Sequence, residues 1–327
     1  MKTRLFGDGV RVSEVGLGCW QLGGSDWGEV GEEEALSILR GAADSGVTFF
    51  DTADVYGGGR SESVIGTFLK QTKESFFVAT KLGRADDPGG PANYTREAVR
   101  AHTEASLKRL GVETLDLTQL HCVPTEVLED GEVFEWLREL KQEGKIARFG
   151  ASVESMEEAQ ICLAQGDLSA LQIIFNLLRQ KPITTLFEKA KQQNVALIVR
   201  LPLASGLLTG KYQKDTEFAP GDHRTYNRDG QAFNVGETFA GLPFGRGVEL
   251  ADALKPLVPE GMTLAQMALR WCLDFDAVTA IIPGAKSPAM AEANAAVRAL
   301  PPLSPALHDQ LTRFYDTQVA AHIRGPY

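Results

Sequence analysis

The chain has 327 residues, 43% of them hydrophobic and 23% charged, with a formal net charge of −10 at pH 7. That balance fits a folded globular protein, and the acidic excess argues against a nucleic-acid surface, which would show clustered Lys and Arg. No apolar run reaches the length of a membrane span. Cys19, Cys122, Cys162 and Cys272 show neither paired spacing nor a CxxC metal framework, so no metal is expected. Residues 1–6 lack the apolar stretch of a signal peptide, and a cytoplasmic protein with reduced thiols is expected. The sequon at Asn93 then has no consequence.

In chain order, residues 4–13, centred on Gly7-Asp8-Gly9, read as a β-hairpin ahead of the first core strand, where it could plug the N-terminal end of a barrel. Eight β-type runs come next, at 15–18, 48–51, 76–81, 115–121, 146–151, 171–175, 196–200 and 278–282. Most are continuously apolar rather than alternating, as parallel strands covered on both faces would be. Helical stretches lie between them. Residues 32–45 place Ala35, Leu36, Leu39 and Ala43 at helical spacing and stop before Gly46, and residues 95–110 stop at Gly111 in the same way. Ser155-Met156-Glu157-Glu158 and Thr263-Leu264-Ala265-Gln266 match the capping box. Repeated βα units favour a parallel sheet, and eight of them favour closure into a (β/α)8 TIM barrel. No Pro-, Gly- or Ser-rich linker divides the chain, so one barrel domain over 1–327 is expected. Residues 211–247, rich in Gly and aromatics, follow the seventh strand as a long loop that would overhang the C-terminal rim, where barrel active sites lie.

Asp51, Tyr56, Lys81 and His121 all fall at, or just beyond, the C-terminal ends of predicted strands. Singly, they read as a turn cap, a core aromatic, a surface charge and an interior histidine. On one rim they form a proton-transfer set. Tyrosine titrates near ~10 and is a poor acid at neutral pH. A nearby ammonium lowers that value, and a carboxylate holds the ammonium in place. The expected roles are therefore Tyr56 as proton donor, Lys81 and Asp51 as its tuning pair, and His121 as the group orienting a carbonyl oxygen. A hydride must come from a cofactor, since no side chain supplies one.

These local sequences resemble the aldo-keto reductase superfamily. Its Asp-Thr-Ala-x-x-Tyr-Gly signature stands at 51–57 followed by Ser61-Glu62, its lysine at Thr80-Lys81, and its Leu-His at Leu120-His121. The resemblance covers nearly the whole chain and implies a TIM barrel and an NADPH-dependent carbonyl reductase, with NADH also possible. It implies cofactor contacts at Ser152 and Gln172 for the carboxamide, with Val153 replacing the usual Asn and Asn176 completing a Gln-x-x-x-Asn string. Arg200 stands where many relatives place a stacking aromatic, a role a flat guanidinium can also fill. Pro202, Leu203, Ser205, Gly206, Leu208 and Lys211 resemble the loop around the pyrophosphate, and Gly284, Lys286, Ser287 and Asn294 the adenine-side site. Ser287 and Pro288 also suit the start of a helix, whose N-terminus welcomes phosphate. Met290, where relatives often carry Arg or Gln, and the nearby Glu292 weaken the case for strict NADP selectivity.

Trp20, Trp27 and Val55 are the candidate pocket walls for a small-molecule carbonyl or alcohol substrate; the sequence names neither that substrate nor an oligomeric state. A Rossmann reading needs Gly-x-Gly-x-x-Gly after a strand, and none occurs. The string from Gly206 to Tyr212 has the wrong spacing for a P-loop. Two alternatives stay open. One is a lyase or aldolase using Lys81 as a Schiff-base nucleophile; the other is a cofactor-binding, redox-sensing protein with little turnover.

Overall fold

The computed structural model describes residues 2–24, 26–28, 30–84 and 89–327. The apolar runs become parallel strands, buried on both faces, in one sheet: β3 (Leu17–Gly18), β4 (Phe49–Asp51), β5 (Phe77–Leu82), β6 (Leu117–His121), β7 (Phe149–Ser152), β8 (Ala170–Ile174), β9 (Ala196–Arg200) and β10 (Val278–Ile281). Neighbours in sequence are neighbours in the sheet throughout. The last strand returns to the first, with Val15 bridging Ile281 and Gly18 bridging Gly284. The Gly16 amide donates to the Ile281 carbonyl at 2.8 Å, and the Ile281 amide to the Glu14 carbonyl at 3.0 Å. The sheet is therefore closed, and the fold is a (β/α)8 barrel.

Ahead of it, β1 (Thr3–Leu5) and β2 (Arg11–Ser13) pair antiparallel as the expected hairpin. Its apolar side chains explain its place. Phe6 and Val12 join Phe49, Phe77, Leu117, Ile198 and Ile282 in a cluster inside the barrel. Arg4 anchors the hairpin through Glu14 at 3.2 Å and the Phe275 carbonyl at 2.8 Å.

Helix ends follow the local chemistry read from the sequence. Thr95 accepts from the Ala98 amide at the start of helix Arg96–Leu110, which stops at left-handed Gly111. Both capping boxes form, at the starts of helices Met156–Ala164 and Leu264–Leu273. Among the described residues, no helix is long and apolar enough to cross a membrane.

Residues 211–247 contain the short helical turns His223–Tyr226, Val235–Glu237 and Phe239–Gly241. Their aromatics pack mainly on one another: Tyr212 lies 5.2 Å from Phe218, and Phe239 lies 4.7 Å from Phe244. The aromatic richness is thus largely a private core that orders the segment. Asp26, from the loop after β3, ties it down across the barrel mouth. Its carboxylate accepts from the Trp20 indole and the Tyr226 hydroxyl, each at 2.9 Å, and its carbonyl accepts from the His223 amide at 2.9 Å.

Candidate active site

Strands β4, β5 and β6 deliver Asp51, Lys81 and His121 to one side of the mouth, all buried. Tyr56 comes from the turn after β4. That turn is held by the Thr52 hydroxyl donating to Ser61 Oγ at 2.8 Å, and by Ser61 donating to the Cys19 carbonyl at 2.8 Å. Gly57 sits at φ +61° against the Gly23 carbonyl, where a Cβ would collide. Only glycine lets the turn approach that closely.

Lys81 Nζ donates to Asp51 Oδ1 at 2.5 Å, to the Thr52 carbonyl at 2.7 Å and to Tyr56 Oη at 3.4 Å. The other Asp51 oxygen accepts from Gln172 at 2.7 Å and Gln119 at 3.3 Å. Burial works against the Lys81 ammonium, but Asp51 and then Tyr56 outweigh it, and the net shift is upward. The ammonium is locked in its charged form.

Tyr56 corrects one expectation. Withdrawal from water pushes its phenol up to about 12; Lys81 pulls it down, while Asp51 and Glu237 push it up again. The ammonium is the strongest charge acting on the phenol, but burial outweighs it and Asp51 offsets part of it. Tyr56 is accordingly a protonated phenol at neutral pH. His121 meets it edge to face, with ring centroids 5.8 Å apart. Burial, then Arg84, Lys81 and Arg200, hold His121 well below the usual histidine range, so the ring is neutral. Its Nδ1 has no hydrogen-bond partner among the described residues. Trp20 stacks on Tyr56 at 5.8 Å and 18°.

Tyr56 and His121 open into a cleft of about 330 Å³. Its walls bring together Trp20, Trp27, Asp51, Gln172, Arg200, Pro202, Leu203, Ser205, Gly206, Lys211, Gly284 and Lys286 from the sequence reading. Lys81 stands just behind, holding Asp51 and Tyr56. Other candidates lie off the wall. Ser152 is buried with Oγ 3.7 Å from Cys122 Sγ. Leu208 is wholly buried in the core, and Val55 lines a separate depression with Asp54 and His102. Ser287 caps helix Pro288–Ala296, and Asn294 donates to the Gly284 carbonyl at 3.2 Å, shaping the loop before that helix. Val153 is buried, and its carbonyl accepts from Arg200 at 3.1 Å.

The donor set fits a long anionic cofactor. Lys211, Arg224 and Lys286 line the cleft, and the Lys286 ammonium is held against the Trp27 carbonyl. Glycines keep it narrow: a Cβ on Gly284 would strike the Gln21 amide, and one on Gly206 the Tyr212 hydroxyl. Burial and then the Arg224 charge hold the Lys286 ammonium below the ordinary lysine range, with Asp222, the partner of Arg224, opposing them.

Sequence reasoning missed a second charged group beside the cleft. Arg84, Arg200, Glu154, Glu237 and Cys122 meet there; the ligand atoms of Cys122, Glu154 and Glu237 lie within 4.8 Å of one another. Arg84 already pairs with both carboxylates, and burial pushes the Cys122 thiol up to about 12, so the group behaves as an ion-pair cluster. The only signal in the sequence was proximity: Arg84, Cys122 and Glu154 each follow a strand end.

The aldo/keto reductase family profile matches residues 14–316. This chain belongs to that family. It is an oxidoreductase. An aldo-keto reductase of Schizosaccharomyces pombe named for NADP(+) is 30% identical over 293 residues, covering 87% of this chain and 83% of that one. The NADH-specific methylglyoxal reductase of Escherichia coli is 28% identical, with 88% and 90% covered. Among solved structures, the glycerol dehydrogenase of Gluconobacter oxydans superposes with a TM-score of 0.78 at 28% identity, over 99% of this chain and 97% of that one. Aldo-keto reductases thus share this chain's barrel from end to end.

Proposed function

We propose that this protein is a cytoplasmic, nicotinamide-dependent carbonyl reductase, working as one barrel unit over 1–327, that interconverts an aldehyde or ketone with its alcohol. The observation that carries the reading is a protonated Tyr56 phenol, 3.4 Å from a locked Lys81 ammonium, opening with a neutral His121 into a cleft with cationic walls. The dinucleotide, when bound, supplies the hydride. Arg200 and Gln172 line the cleft near the proton-handling groups and would hold the nicotinamide end. The backbone of 202–206 with Lys211 would hold the pyrophosphate, and Lys286 with the N-terminus of helix Pro288–Ala296 the adenine-side phosphate.

Tyr56 donates the proton from Oη to the carbonyl oxygen. Lys81 stabilises the phenolate left behind and is itself held by Asp51, whose far oxygen is fixed by Gln172 and Gln119. His121, neutral, offers an N–H to the same oxygen without competing as an acid. Trp20 stacks on Tyr56, and Trp27 meets Trp20 edge to face along the same cleft wall. NADPH is the expected partner with NADH accepted, because Lys286 favours a phosphate while Met290 on the same wall adds no second cation. The lysine-based lyase reading loses support, since Lys81 is charged, buried and engaged by Asp51, Thr52 and Tyr56.

Titration with NADPH and NADH by tryptophan fluorescence, then a panel of aldehydes, ketones and alcohols, tests the reading. Binding with turnover is expected. Binding with no turnover on any substrate would favour the redox-sensing alternative. No binding at all would sink both.

A further inference from the structure

The charged cluster beside the cleft hands no proton to the reaction, although its charges reach Tyr56 and His121, and it holds several ionised groups out of water. Buried ion pairs seldom stabilise more than apolar packing of the same volume. Glu237 is its centre. The residue, 5% exposed, pairs with Arg84 at 3.2 Å and Arg200 at 3.4 Å, and Cys122 Sγ lies 3.7 Å away. Arg84 also pairs with Glu154 at 3.1 Å, and Asn234 donates to Glu154 at 2.9 Å. Arg200 is thereby gripped at both terminal nitrogens, by Glu237 at Nη1 and by the Val153 carbonyl at Nη2. The Glu237 backbone is tied as well. Its carbonyl accepts from Ser205 Oγ at 3.1 Å, and the same hydroxyl accepts from the Phe239 amide at 3.2 Å. Glu237, Arg200 and Ser205 all line the cleft that holds Tyr56 and His121.

We propose that Glu237 is a positioning residue for the reductase reaction: it clamps Arg200 in place and staples the 211–247 segment to the loop around Ser205, so that the reacting ring is seated on a fixed guanidinium. The inference rests on the reductase reading. The alternative use of the same atoms, a metal site, is disfavoured because two guanidinium groups already occupy the carboxylates. A clamp of this kind acts chiefly through Arg200 and the loop. Among the described residues it makes no hydrogen bond to the relay's own partners, Lys81, Asp51 and the two glutamines, and reaches Tyr56 only through its charge, which raises the phenol.

The test uses the full chain and its nicotinamide cofactor. Glu237→Gln keeps the size and loses the charge that grips Arg200. Cofactor affinity is expected to fall about tenfold or more and kcat to fall with it, while KM for the carbonyl changes little; about tenfold is what loss of 1.4 kcal/mol does. Glu237→Asp, which keeps the charge, should recover most of the loss. In a double-mutant cycle, adding Glu237→Gln to Arg200→Gln should cost little beyond Arg200→Gln alone, because coupled partners are non-additive. Losses that simply multiply, or a Glu237→Gln variant within about twofold of wild type, would overturn the role. Should Glu237→Gln fail to fold, Arg84→Gln loosens the same clamp from outside the cleft. It should weaken cofactor binding severalfold, and an unchanged affinity would likewise overturn the proposal. A wild type that binds no nicotinamide would take the reductase reading down with it. A wild type that turns over beside an unaffected Glu237→Gln would remove the clamp alone.

Discussion

Tyr56 is the residue on which the chemistry turns, and its environment sets the direction it favours. The phenol is pushed up to about 12 because it is drawn out of water, which outweighs the pull of the Lys81 ammonium that Asp51 partly offsets. A group that keeps its proton is ready to give it to a carbonyl oxygen and must lose it before it can accept one. Reduction is therefore expected to hold a level kcat/KM from about pH 7 to about 9, and alcohol oxidation to rise across the same range. A reduction rate that already declines steeply as pH rises from about 7 to about 9 would mean that the bound cofactor brings the phenol well below about 12. Tyr56→Phe should lower kcat by roughly 10²–10⁴-fold, the usual worth of a positioned general acid, with cofactor affinity intact. Single-turnover reduction with the variant measures this directly, and a loss under tenfold would move the proton donor elsewhere.

At the scale of elements, the informative pair is the loop after β3 and the 211–247 segment. Each would be an irregular excursion on its own, and together they cover the mouth because Asp26 links them. One carboxylate oxygen accepts from Trp20, which stacks on Tyr56, and the other from Tyr226. Hydrogen bonds to a charged group contribute about 1.5–3 kcal/mol. Asp26→Asn turns one acceptor into a donor facing a donor and should loosen the cover. The cofactor dissociation rate, followed by stopped-flow fluorescence, is expected to rise about tenfold or more. A rate within about twofold of wild type would show that the segment's private aromatic core holds it closed unaided.

Across the whole molecule, stability should carry the mark of the cluster beside the cleft. Burial and then the Glu237 charge push Glu154 up to about 7, while Glu237 is held low because Arg84 and Arg200 outweigh its own burial. The signs are opposite. Glu237 adds stability as pH rises past its depressed value toward the ordinary carboxylate range. Glu154 keeps its proton in the folded state after the unfolded chain has released it, so stability declines from about pH 4.5 to about 7. Tm should accordingly fall over that interval, and Glu154→Gln, which cannot ionise, should flatten the fall. An unchanged slope in the variant would place the decline on other groups.

The alternation of apolar runs with capped helices was readable because each element answers to its own few residues: Thr95 and Gly111 bound one helix, and the capping boxes begin two others. The proton-handling residues were readable for a related reason. A parallel barrel carries every strand end to one rim, so Asp51, Lys81 and His121 had only to stand at strand ends to meet. The structure decided what those groups meet there. Arg84 and Glu237 are 153 residues apart, and Tyr226 and Asp26 are 200 apart. No local rule pairs them, since both contacts depend on how the 211–247 segment folds back over the mouth. The state of the Tyr56 proton belongs to the same category. Its neighbours were visible in the sequence, but whether burial or the ammonium prevails depends on how far water is excluded and how much of the Lys81 charge Asp51 has already taken up.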